Sequence, residues 1–228
     1  WNPSKGEIDL DCFKDVQAII NLAGTSIAKR WTPQHRKKVL SSRLDSLRTL
    51  KKGLENSGNK EVECLVSASA IGIYPDSKCD YYEESETKLD DGFLGEVVSK
   101  WEAEADTFEK LGVEVAKIRI GLVLSKDGGA LPKMALPVKN FIGAPIGSGD
   151  QWQSWIHIED LYGIVDFIEA NKELNGIFNA SAPQPVTNRE FMGQLRKVKK
   201  QTIGYHSPKW MLEMGALIMR TETELILK

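Results

Sequence analysis

The hydrophobic pattern alternates between short apolar runs and longer amphipathic stretches. Residues 16–22 hold Val16, Ala18, Ile19, Ile20 and Leu22 and run into Ala23 and Gly24, which reads as a strand buried on both faces. Thr32 and Pro33 follow as an N-cap with proline at the first helical position. Leu44, Leu47, Leu50 and Leu54 then recur at spacings of three and four, an amphipathic helix reaching residue 54. Residues 62–67 read as a second strand that ends in the small residues Ala68, Ser69 and Ala70. A polar loop to about residue 91 precedes a helix over 93–110, stopped near Gly112, and a third strand over 115–120.

Beyond residue 120 the pattern loosens. Gly128, Gly129, Pro132, Pro137 and Pro145 break up what reads as a long connection. The pattern then predicts a strand over 155–158, a helix over 160–171 and a strand over 176–180. Thr187 and Glu190 have the spacing of a capping box that opens another helix, and a final helix is predicted after Pro208. Strands and helices alternating at these lengths argue an α/β fold, a doubly wound parallel sheet. In such sheets ligands bind past the carboxyl ends of the strands. Three of those ends here are small or polar: Asn21 to Gly24, Ser67 to Ala70, and Gly121 after Arg119 and Ile120. Glycine admits a ligand close to the backbone, and amide and hydroxyl groups supply donors and acceptors.

One stretch is denser in chemistry than the rest. Residues 147–161 collect Gly147, Gly149, Trp152, Trp155, His157 and the acidic pair Glu159 and Asp160. They read as a glycine-hinged loop that feeds a short buried strand and then a helix, forming a pocket wall.

Composition narrows the class. The 228 residues are 41% hydrophobic and 27% charged, as expected of one globular domain. Thirty basic and 32 acidic residues give a net charge of −2 without a basic tract, which argues against nucleic acid as a partner. The clusters Arg36-Lys37-Lys38 and 197–200 read as solvated helix faces. Cys12, Cys64 and Cys79 are odd in number, widely spaced and without a zinc pattern, so a reducing, cytoplasmic setting with no bound metal is expected. No apolar stretch approaches the ~18 residues of a membrane span, and no signal peptide is visible. The chain opens on Trp1 and closes one turn after the cap-like Thr221 to Glu224, so both ends are expected to be truncations.

Four motifs carry a family resemblance. The tract 21–32 (Asn-Leu-Ala-Gly-Thr-Ser-Ile-Ala-Lys-Arg-Trp-Thr), the stretch from Ser67 to Tyr74, the stretch from Gly128 to Met134 and the run 147–161 together resemble atypical extended short-chain dehydrogenase/reductases, the NAD-dependent epimerase/dehydratase-like proteins. The resemblance covers roughly 1–196. It implies a Rossmann-like doubly wound parallel sheet with a small C-terminal substrate-binding part. Residues 1–205 would form the NAD(P)-binding domain without its first β-α-β unit, with substrate-side loops around 125–155. Residues 206–228 would begin a short C-terminal extension. The resemblance also implies a glycine-rich turn that cradles the dinucleotide pyrophosphate, yet no G-x-x-G-x-x-G occurs in this chain.

The resemblance departs again at the acid/base pair. Standard members carry Tyr-x-x-x-Lys on a helix, but the stretch 91–110 has no tyrosine. Phe93 stands near the expected place, with Val97 four residues on. Tyr74 with Lys78, and Tyr205 with Lys209, match the spacing, but each pair spans a proline in a predicted loop.

The resemblance implies that Asn21, Ala23, Gly24, Thr25 and Ser67 line a cofactor channel and that Gly121 and Leu122 flank the nicotinamide. Arg30 would fork onto the extra 2′-phosphate of NADP, which slightly favours NADP within NAD(P); its bland reading is a loop charge beside Trp31. Ser69 stands where a substrate-orienting hydroxyl is kept. His157 is the acid/base candidate, or alternatively a helix cap. Lys133 would meet an anionic substrate or lie in solvent; Trp152 and Trp155 would stack on a substrate or pack in the core. Relatives pair through the helices corresponding to 32–54 and 91–110, which implies a homodimer. Two readings follow: an epimerase-like or oxidoreductase protein acting on a small molecule without the usual Tyr/Lys pair, or an NADP(H)-binding sensor without turnover. A scaffold that keeps only the fold is the third.

Overall fold

The structure is a computed structural model that describes residues 1–139, 143–145 and 147–201. Two short 3-10 turns, Pro3–Lys5 and Leu10–Phe13, lead into β1 (Ala18–Asn21) and α1 (Pro33–Ser57). Next come β2 (Cys64–Ala70), a 3-10 turn at Ile71–Ile73, α2 (Phe93–Asp106) and a 3-10 turn at Thr107–Leu111. The chain continues through β3 (Glu114–Ile120), β4 (Leu122–Leu124), α3 (Ala130–Lys139), β5 (Trp152–Gln153), β6 (Trp155–His157) and α4 (Ile158–Ala170). It closes with β7 (Gly176–Ala180), β8 (Val186–Thr187) and α5 (Asn188–Val198).

The main sheet has the order β1-β2-β3-β7, and every pairing in it is parallel. Strand residues alternate between two faces. Leu65 and Val115 join Leu47, Leu54, Trp101, Ala105 and Phe108 of α1, α2 and the turn after α2 in one core. Cys64, Val66, Ala116 and Ile118 meet Ile168, Leu161, Ile164 and Val165 of α4 in the other. Helices therefore cover both faces, as the alternating pattern requires. Two smaller pairings, parallel β4-β6 and antiparallel β5-β8, stand at the end of the sheet where the strands finish.

Local chemistry sets the helix boundaries. Thr32 accepts a hydrogen bond from the His35 amide, Pro33 occupies the first turn, and Gly58 ends α1 in the left-handed conformation at φ 70°. Thr187 and Glu190 form the reciprocal capping box at α5. The stretch 93–110 is α-helical only to Asp106 and then tightens into a 3-10 turn that ends at Gly112.

The prolines around 130 are read differently by the fold. Residues 130–139, expected as part of a loose connection, form α3, with Ala135 and Val138 buried. Pro132 falls in the first turn, where amides have no intrahelical partner, so it does not oppose the helix; Pro137 costs one interior bond. The stretches β4, β5 and β8, each of two or three residues, were also not anticipated, because periodicity cannot register runs that short. The helix expected after Pro208, the segment 206–228 and the Tyr205–Lys209 pair lie outside the described residues.

Candidate functional site

The parallel strands deliver their tips to one end of the sheet. At β1, the buried Asn21 side chain accepts from the Ala23 amide at 3.3 Å and donates to Ser46 Oγ of α1 at 3.4 Å. The chain then turns back along α1. The Thr25 amide donates to Ser42 Oγ at 2.9 Å, and Trp31 Nε1 donates to the Ile27 carbonyl at 2.9 Å. Into this turn reaches Arg43. Its Nη1 donates to the carbonyls of Val39 (2.9 Å) and Thr25 (3.2 Å), and the guanidinium carbon lies 4.9 Å from the centre of the Trp101 ring. Burial pushes the Arg43 guanidinium below its ordinary range. A Cβ on Gly24 would lie 3.2 Å from the guanidinium carbon, so the missing side chain leaves that group uncovered.

At the neighbouring tips, register sets Ser69, Arg119 and Asn179 side by side on three strands. Arg119 forks onto buried Glu102 of α2: Nε to Oε1 and Nη2 to Oε2, both at 2.9 Å. Ser69 Oγ donates to the same Oε1 at 2.5 Å. On the other side Arg119 Nη1 donates to the Tyr74 phenol at 2.9 Å, and that phenol donates to Asn179 Oδ1 at 2.8 Å. Tyr74 stacks on Tyr82 with ring centres 5.3 Å apart. Burial pulls the Arg119 pKa down, but the hydrogen bonds to Glu102 and Tyr74 more than offset it and leave it above its ordinary value. The result is a hydrogen-bonded polar line from Ser69 through Glu102 and Arg119 to Tyr74.

The run 147–161 forms the adjoining wall. The Gly121 amide donates to the Ala180 carbonyl at 3.0 Å, and the Leu122 amide to the Ser154 carbonyl at 2.7 Å. A Cβ on Gly121 would collide with that Ser154 oxygen, so only glycine fits where β3 passes into β4. Trp152 Nε1 donates to the Lys78 carbonyl at 2.9 Å, Trp155 Nε1 to the Gln184 carbonyl at 3.2 Å. His157 is the N-cap of α4: its Nδ1 accepts from the Glu159 amide at 3.3 Å, and the helix begins at Ile158.

The fold thus groups Asn21, Ala23, Gly24 and Thr25 at one tip, and Gly121, Leu122, Trp155 and His157 across β4 and β6. It does not bring Ser67 or Ser69 to the surface. Ser67 Oγ turns to the Ala68 carbonyl (3.1 Å), and both serines are buried. Lys133 stands exposed on α3, and Arg30 is exposed with no side-chain bond among the described residues. Arg43, Glu102, Arg119, Tyr74 and Asn179 were missed. The signal was there for three of them: Arg43 shares the buried stripe of α1 with Val39 and Leu47, Glu102 sits between buried Trp101 and Ala105, and Arg119 interrupts a buried strand. A charge at a core position implies a partner. On α2 the spacing of a tyrosine–lysine pair is also met by Glu96 and Lys100, an exposed ion pair at 2.5 Å.

The residues present suit one end of a dinucleotide. Gly24 leaves backbone exposed just past the tip of β1, with Arg43 a positive group beside it, whereas the space beside Gly121 is taken by the Ser154 carbonyl. The glycine-rich phosphate turn is not among these residues.

No established family profile matches the chain. An epimerase family protein of Staphylococcus aureus is 42% identical over 172 residues, 75% of this chain and 57% of that protein. The chain therefore spans less than two thirds of the length of that relative. An epimerase family protein of Staphylococcus epidermidis is 38% identical over 216 residues, covering 92% of this chain and 72% of that protein. Among solved structures, the human epimerase family protein SDR39U1 with NADPH superposes with a TM-score of 0.80 at 29% identity, over 94% of this chain and 77% of that one. A nucleoside-diphosphate sugar epimerase of Corynebacterium glutamicum does so with a TM-score of 0.74 at 27% identity, over 96% and 48%. With a shared parallel α/β architecture and this level of identity, the chain belongs to the epimerase family of these relatives.

Proposed function

We propose that this chain is part of an NAD(P)-binding, epimerase-like protein that acts on a small molecule, with NADP slightly favoured over NAD. The observation that carries the reading is the convergence of side-by-side parallel strand tips on one edge, with an exposed glycine, Gly24, just past the tip of β1. The likeness to a human relative solved with NADPH supports it. A bound nicotinamide supplies hydride chemistry; the chain supplies orientation and proton handling.

In this reading Asn21 holds the tip of β1 in shape, and Ala23, Gly24 and Thr25 form the floor of the channel. Ser67 backs that floor from within, and Gly121 and Leu122 wall the nicotinamide side. Arg30 reaches a 2′-phosphate. Ser69 is a positioning residue, acting through Glu102 and Arg119 on the Tyr74 phenol. His157, whose Nδ1 is taken by the α4 cap, keeps Nε2 for proton transfer. Lys133, Trp152 and Trp155 border the substrate side. The protein is placed in a reducing cytoplasm, in keeping with exposed free Cys12 and Cys79, and is proposed to pair through α1 and α2 as a homodimer. Among the described residues no helix is long and apolar enough to cross a membrane.

The absence of tyrosine from α2 favours a second reading, an NADP(H) sensor without turnover. One experiment separates the two. The protein is loaded with NADPH, and absorbance loss is followed against aldehydes, ketones and nucleotide sugars. Turnover that His157→Ala abolishes without changing cofactor affinity supports the first reading. Binding without oxidation across the panel leaves the sensor, and absence of binding removes both.

A further inference from the structure

The segment between β2 and α2 is fixed at its base and has no core beneath its tip. The Asp90 amide donates to the Ile73 carbonyl at 2.7 Å, so residues 74–89 leave and return side by side, as an Ω-loop does. That base is tight. Asp90 Oδ2 accepts from the amides of Gly92 (3.1 Å) and Gly95 (3.4 Å), and a Cβ on Gly95 would collide with the Asp90 carbonyl. At the foot of the loop, Tyr74 is tied to Arg119 and Asn179. Yet none of residues 74–89 is buried, and the apolar side chains of Tyr81 and Leu89 face solvent.

Farther out, the loop is held to other elements at two places. Glu84 Oε1 accepts from the Asn179 amide of β7 at 2.7 Å. Trp152 of β5 donates from Nε1 to the Lys78 carbonyl at 2.9 Å, and its ring centre lies 6.5 Å from that of Tyr81. The sheet order β2-β3-β7 gives this path a direction. The loop leaves the end of β2 and Glu84 meets β7, so it crosses the carboxyl end of β3, where parallel sheets take their ligands. Trp152 belongs to the adjoining wall. Both latches are polar contacts within reach of water, so releasing them costs far less than unfolding the domain.

We infer that residues 74–89 form a lid over the strand tips, latched shut by Trp152 on the Lys78 carbonyl and by Glu84 on the Asn179 amide, and that ligand enters and leaves when both latches release. The inference rests on the NAD(P) reading above and adds a gate to that site.

The test compares the protein with its Trp152→Phe and Glu84→Ala variants. Phenylalanine keeps a ring beside Tyr81 and removes the donor; alanine frees the Asn179 amide. Each latch reports on the other by NMR hydrogen exchange: the Asn179 amide in Trp152→Phe, and the Trp152 indole N–H in Glu84→Ala. Loss of one hydrogen bond is expected to speed exchange at the remaining latch about 3- to 10-fold. Stopped-flow fluorescence then follows NADPH. Because a lid is crossed on entry and exit alike, kon and koff should both rise about 3- to 10-fold while Kd stays within about twofold. A loop with a purely structural role would leave both rates where they were. Unchanged exchange shows that the two contacts do not hold the loop and overturns the inference. Faster exchange with unchanged NADPH rates puts the loop away from the ligand and also overturns it; in both cases the NAD(P) reading stands on the NADPH bound. If the unmodified protein binds no NADPH, that reading falls and the inference with it. Should one variant fail to fold, the other decides by both measurements.

Discussion

Arg119→Met removes the centre of the polar line at the strand tips. The Arg119 and Glu102 side chains are 4% and 10% exposed and share two hydrogen bonds of 2.9 Å. Without the guanidinium, the Glu102 carboxylate keeps only the Ser69 hydroxyl, and the Tyr74 phenol loses a charged donor. Breaking a buried pair in this way costs about 3–5 kcal/mol, because one charge stays buried without its partner. Domains are stable by only about 5–15 kcal/mol, so a large share of the total is lost. At about 2–4 °C per kcal/mol for a chain of this size, the melting temperature should fall by about 6–20 °C. Urea denaturation with calorimetry measures both quantities. Adding Glu102→Leu to Arg119→Met removes the orphaned charge as well and should restore part of the loss, leaving a coupling of about 2 kcal/mol or more in a double-mutant cycle. A single variant within about 1 kcal/mol of the parent, or a double variant equal to the sum of the singles, refutes the claim that this pair organises the strand tips.

Gly121→Ala forces a methyl group into the Ser154 carbonyl oxygen, so β4 and β6 must part; a loss of about 1–3 kcal/mol in thermal denaturation is expected, and an unchanged melting curve contradicts the close approach. Burial, reinforced by the Glu169 charge, raises the Cys64 thiol pKa, whereas Cys12 and Cys79 are exposed. Iodoacetamide followed by mass spectrometry should therefore label Cys12 and Cys79 in the folded protein and Cys64 only after unfolding, and equal labelling of all three would show that Cys64 is not enclosed.

The chain's own periodicities determined the alternation of strands and helices, and with it the parallel doubly wound sheet. A strand buried on both faces must be apolar throughout, and a helix packed on a sheet must repeat its apolar residues every three or four positions. Caps were legible for the same local reason: Thr32 with Pro33, and Thr187 with Glu190, act within one turn of themselves. The helix at 130–139 was hidden because proline marks a break only by default, and its meaning changes in a first turn.

The site was legible only as far as its backbone. Small residues at strand ends marked the tips, but nothing local says where a serine hydroxyl points. Ser69 turns inward because Glu102, 33 positions later, waits beneath it. Arg119 finds Tyr74 45 positions away, and Arg43 meets Gly24 and Trp101 from two different elements. These are long-range encounters set by strand register and by the packing of α1 on α2. Sequence spacing carries no record of them, because the desolvation that makes each charge matter exists only once the elements have closed together.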